Sequence, residues 1–141
     1  MVRLAFHLER QHAKPDCLMV DFWLESAKTF AVDEVFIINL SGKEYSPPPV
    51  SIKTTVLEPE DKLPSGTPVY LMPKHSAVDS TVNISSFKPK DDAIYIFGTD
   101  SPEKPAHWPR ENDITLTLKT PSRYPLWSFA AFIVLMTRLN K

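Results

Sequence analysis

The chain has 141 residues, 43% of them hydrophobic and 23% charged, the make-up of a globular domain large enough for a proper core. Its formal net charge of -1 provides no global field for nucleic acid, so any such binding needs a local patch or a groove between subunits. One cysteine, Cys17, excludes an intramolecular disulfide and a cysteine-cluster metal site, and 14 prolines against 3 glycines make the loops stiff and extended.

In chain order, the apolar run Leu4 to Leu8 predicts a first strand. Lys14-Pro15-Asp16 is a helix-start signal with Asp16 as N-cap, and the helix is expected from Cys17 to Phe30. Val20, Leu24, Ala27 and Ala31 fall on one face, with Trp23 and Phe30 beside it, and Cys17 reads as a buried helix residue. The continuous β-branched and aromatic run Glu34 to Leu40 reads as a strand buried on both faces. Strand, helix and strand in such quick succession form a βαβ unit with parallel strands.

Ser41 to Pro49, with three consecutive prolines, is a loop. Val50 to Leu57 alternates like a strand with one wet face, and an acidic, turn-rich connection leads to a short strand at Pro68 to Met72. Pro73 to Asp92 reads as loop, and Ala93 to Gly98 is the clearest buried strand. A proline-rich loop follows, then a strand at Asp113 to Leu118 and a tail helix. From Leu126 to Met136 only Ser128 is polar. That run is short of the about 20 residues a membrane span needs, so the tail reads as a helix apolar nearly all round, which must be covered on more than one face and for which a second subunit is a natural cover. The first residues carry no signal-peptide pattern, which gives a cytoplasmic expectation, and the whole chain, 1–141, reads as a single α/β domain.

Chemistry concentrates around "AIYIFGTD", Ala93 to Asp100. Ligands of parallel sheets sit beyond the carboxyl ends of the strands, and Gly98 permits close approach of a ligand to the backbone; read blandly, it is a strand-to-loop turn. The four histidines, His7, His12, His75 and His107, share no metal-ligand spacing, so no metal site is expected. His7 reads as strand filler and His107, beside Trp108, as a loop contact. Lys74, Lys88, Lys90 and Arg123 could form a phosphate-contacting rim, with solvated surface as the plainer reading.

Taken in order, "AKTFAVDEV" (Ala27 to Val35), "FGTD" (Phe97 to Asp100) and "PLWSFAA" (Pro125 to Ala131) resemble the SpoU/TrmH branch of the SPOUT RNA ribose methyltransferases. The resemblance implies a trefoil-knotted α/β fold with a mostly parallel sheet, flanking helices and a C-terminal helix through which two copies dimerise. It also implies S-adenosylmethionine as cofactor, held at Leu71, Gly98, Leu118, Pro125 and Leu126, and an RNA substrate, tRNA or rRNA, methylated at a ribose 2'-oxygen. Several positions depart from the family pattern. Its functional arginine falls on Glu25, which can act as a general base but cannot hold phosphate. The "N-x-G-N" stretch is absent at Met19 to Phe22, Asp100 replaces a glutamate, and Trp127 replaces an asparagine. These departures support an alternative: a catalytically silent protein of the same fold that binds RNA or a protein partner. A small unknotted α/β interaction domain is the reading outside the family.

Overall fold

The structure, a computed structural model, describes residues 1–72, 82–99, 106–110, 113–117 and 127–140. Seven strands form one sheet, and every pairing in it is parallel. They are β1 (Arg3–Leu8), β2 (Glu34–Asn39), β3 (Lys53–Leu57), β4 (Thr67–Leu71), β5 (Val82–Asn83), β6 (Ala93–Phe97) and β7 (Ile114–Thr117), in the spatial order β3-β2-β1-β6-β4-β7-β5. The described α-helices are α1 (Met19–Thr29) and α2 (Ser128–Leu139).

Strand positions follow from composition. β6 lies at the centre and all five of its residues are buried. β2, rich in β-branched residues, is buried over five of its six positions. β3 is an edge strand with no fully buried residue, and its first residue, Lys53, reaches Glu34 on β2 at 3.1 Å. β4 tolerates Pro68 because the ladder with β7 begins only at Val69. The βαβ unit is present, with β1 and β2 parallel from Arg3↔Glu34 to Leu8↔Asn39.

Both helices pack on one face of the sheet. Val20, Trp23, Leu24 and Ala27 of α1 and Phe132, Leu135 and Met136 of α2 share a core with Leu4, Phe6, Leu8, Tyr95, Phe97 and Leu116. Trp23 is its hub, stacked between Phe6 (centroids 4.5 Å apart, planes 10°) and Phe132 (4.9 Å, 11°). Residues one register over, Ala5, Phe36, Ile38, Tyr70, Met72, Ile94 and Ile96, form a second core on the opposite face, with Leu63 of the 58–66 connection against it.

Local details correct the sequence reading. Asp16 does not cap α1; it lies in a turn closed by the Cys17 N–H donating to Lys14 O (3.0 Å), and the helix begins at Met19 with Leu18 as an N-cap that makes no side-chain bond. Cys17 is therefore half-buried ahead of the helix rather than buried within it. Ala31 is off the helical face, at φ 55°, where the Val32 N–H donates to Ala27 O and the Ala31 N–H to Lys28 O in a left-handed helix stop. The expected Pro73 to Asp92 loop contains β5 and a 3-10 turn at Ile84–Ser86, begun by Asn83 Oδ1 accepting from the Ser85 N–H. At the amino ends, the Arg3 guanidinium donates to Ser65 O (3.0 Å) and Asp92 O (2.8 Å), binding the approaches to β4 and β6.

Candidate functional site

Because the sheet is all parallel, every strand delivers its carboxyl end to the same edge, where α/β proteins bind ligands. At the middle of that edge β1 runs into Glu9 and a 3-10 turn, Arg10–His12, while β6 runs into Gly98. Ser128 Oγ, in the first turn of α2, donates to Gly98 O at 2.8 Å and ties the helix to the strand end. Together with Phe6, His7, Leu8, Glu9, His12, Met19, Val20 and Trp23, these two residues enclose a pit of about 10 Å³. That is room for one water, so any larger ligand lies above the pit, across the strand ends.

The polar residues of the pit are specifically held. His7 is 5% exposed, and its Nδ1 lies 2.7 Å from Phe97 O. Since the carbonyl only accepts, Nδ1 carries the proton, leaving Nε2 to accept from the His107 backbone N–H at 3.3 Å. Burial lowers the His7 pKa to about 4, with the Phe97 bond opposing, the neighbouring His107 lowering it further and Glu9 opposing. Burial also lowers the His107 pKa, against the contact of its ring with the Asp61 backbone. Glu9 is 1% exposed and lies 3.6 Å from His12 Nδ1. A buried carboxylate beside a more accessible imidazole is a pair able to orient and accept a proton.

Of the residues expected from sequence, Leu71 and Gly98 come together. Leu71 ends β4, paired with Phe97 of β6 on one side and Leu116 of β7 on the other, and Gly98 is the next residue after Phe97. Gly98 has no positive φ, and among the described residues nothing lies within 4 Å of a Cβ added there. Among the described residues nothing requires glycine at 98. Leu118, Pro125 and Leu126 lie outside the described residues, as do His75, Lys74, Asp100 and Arg123. Glu25 is exposed on α1 and does not line the pit. Trp127 is 69% exposed, just ahead of α2, so its indole fills no slot. Lys88 and Lys90 are exposed but precede β6, at the opposite end of the strand from Gly98, so they form no rim here.

Sequence reasoning passed over two features. The Glu9–His12 pair was visible only as an i, i+3 spacing in "ERQH", ahead of any expected helix. Thr117, the last residue of β7, has a buried hydroxyl with no hydrogen-bond partner among the described residues. It lies one residue beyond Leu116, the partner of Leu71, and one residue before Leu118. An orphaned buried hydroxyl costs about 1–3 kcal/mol until something bonds it, so this edge has capacity for a polar ligand group.

No group of three or more His, Cys, Asp or Glu side chains stands ready for a metal among the described residues. No described helix is long and apolar enough to cross a membrane. Fold and site together define an α/β protein with an all-parallel sheet and a small, partly polar pit at the carboxyl ends of β1 and β6. No family model matches the chain, and no curated protein matches it.

Proposed function

We propose that this chain is an S-adenosylmethionine-dependent RNA methyltransferase of SpoU type, acting on a ribose 2'-oxygen of tRNA or rRNA, with the knotted SPOUT topology and a homodimer formed through α2. The observation that carries the reading is the open carboxyl edge around Gly98. Gly98 is half-buried there, and no described atom lies within 4 Å of a Cβ built on it, although its φ does not demand glycine. Leu71, Gly98 and the orphaned Thr117 hydroxyl span three neighbouring strand ends and fit a flat, polar-edged ligand such as an adenosyl group. Bound there, the cofactor would supply an electrophilic methyl group. Leu71 and Gly98 would hold it through backbone groups and Thr117 through its hydroxyl. The exposed Trp127 favours this reading over a plugged pocket.

The dimer is supported by the outer face of the helical layer. Ala130 and Val134 of α2 are only half-buried, Leu18 (57%), Phe22 (51%) and Trp127 (69%) are exposed, and Phe22 meets Phe129 of α2 with ring centroids 6.3 Å apart. An apolar face of this kind is costly in water and suits a second copy.

One observation favours the silent relative. Glu25, at the family's arginine position, is negatively charged and faces solvent away from the pit, so it offers substrate neither a base nor a phosphate contact. The two readings separate on cofactor binding. Replacing Thr117 by Val removes the hydroxyl at nearly constant shape. Titration calorimetry with S-adenosylmethionine is expected to show binding to the parent chain and about tenfold weaker binding to Thr117→Val, the worth of one hydrogen bond. Equal affinities would remove Thr117 from the site, and no binding to either would favour the silent relative.

A further inference from the structure

One short chain segment meets the sheet through a histidine pair. Residues 106–110 contain exposed Trp108 and Arg110, and the segment lies against β1 through the bond from the His107 N–H to His7 Nε2. His7 is on the strand face away from the helices, since its neighbours Phe6 and Leu8 belong to the helix-side core. Both ring nitrogens are committed, one as donor to Phe97 O and one as acceptor from the segment. We propose that residues 106–110 form a strap latched to the carboxyl ends of β1 and β6 by neutral His7, and that protonation of His7 releases it.

The argument is geometric. A proton on Nε2 turns the acceptor into a donor aimed at the N–H of His107, so the bond is lost and replaced by repulsion. The new charge also sits beside a second imidazole, with ring centroids 6.2 Å apart. His107 itself has no partner for its Nε2 among the described residues, and its ring is held by the Asp61 backbone. The other ionisable groups facing His7 are Glu9, which favours the protonated ring, and His12, which lies against Glu9. β2 and β6 present only Ile38, Asn39, Phe97 and Gly98 beside it, none of them titratable. Burial outweighs Glu9, so the latch holds near neutrality and opens as the pH falls toward 4. The strap meets β1 at His7, whose ring is bonded to Phe97 O, one residue before Gly98. The proposal does not depend on what ligand the candidate site takes.

The test is nuclear magnetic resonance on the full chain. At pH 7 the His7 imidazole is expected as the Nδ1–H tautomer, with the His107 amide protected from exchange. Across the His7 titration that amide should lose about tenfold in protection, after correction for intrinsic exchange, while the amides of β1 and β6 keep theirs. In His7→Phe the His107 amide should be unprotected at every pH. An Nε2–H tautomer, unchanged protection through the titration, or protection lost together with the whole sheet would each overturn the latch. These readouts use the unaltered chain, so they stand even if His7→Phe fails to fold.

Discussion

Replacing Trp23 by Ala tests how the helical layer is held to the sheet. Trp23 is 4% exposed, stacked on Phe6 and Phe132 and edge-on to Phe97 (5.3 Å, 63°) and Phe129 (5.5 Å, 61°). An indole of this kind buries about 200 Å², worth about 5 kcal/mol at about 25 cal/mol per Å². Alanine retains a small part of that, and the four surrounding rings come from β1, β6 and α2, which cannot all collapse onto one void. A loss of about 4 kcal/mol is expected, within the range for aromatic-to-alanine changes in cores. For a domain whose total stability is about 5–15 kcal/mol this removes much of it. Urea unfolding followed by far-ultraviolet circular dichroism is the assay. The midpoint should fall by about 2 M at an unchanged slope of about 2 kcal/mol per M. Trp23→Phe, which keeps a ring between Phe6 and Phe132, should cost only about 1–2 kcal/mol. A cost below about 1 kcal/mol for Trp23→Ala would refute the view that this sandwich joins the layers.

Other expectations follow from single sites. The His7 pKa in the folded chain is about 4, against 6.5 as a free side chain, so its neutral form stabilises the fold fully above pH 6.5. That contribution, about 3 kcal/mol from the size of the shift, is lost progressively as the pH falls from 6.5 toward 4, and His7→Phe should flatten the pH dependence of stability in that window. Ala31→Gly should raise stability by about 0.5–1 kcal/mol, because φ 55° strains alanine but not glycine; a loss in thermal unfolding would count against the left-handed stop. Gly66→Ala should destabilise by about 1–3 kcal/mol, because φ is +147° and the new Cβ would collide with Arg3 and lie 2.6 Å from Asp92 O. Denaturation of Gly98→Ala, with open space at its Cβ, should by contrast differ from the parent by under about 0.5 kcal/mol.

What the sequence made legible was whatever local pattern encodes. β6 and β2 are continuous apolar runs, and their burial follows from that alone. The order of strands is another matter. β1 and β6 are neighbours, with His7 bonded to Phe97 90 positions away, and no local signal carries such a pairing. β5 has two residues, too few for any periodicity to register. The expected cap at Asp16 failed because the preceding proline favours a separate turn, which took the Cys17 N–H first. His7 looked like strand filler because both of its partners are backbone groups, one of them on a distant strap. At the candidate site, Gly98 was legible as a strand end, and Leu71 came only from the family resemblance. Thr117 was not, since an unpaired hydroxyl appears only when its surroundings are known.

The most direct measurement is calorimetric titration of the folded chain with S-adenosylmethionine and with its demethylated product, repeated on Gly98→Leu. Leucine would project into the open space above the strand end, where the account puts the cofactor. Micromolar binding by the parent chain, weakened at least about tenfold in a Gly98→Leu protein that remains folded, is the expected result. Absence of binding by a folded parent chain, or equal binding by both, would contradict a cofactor site at Gly98.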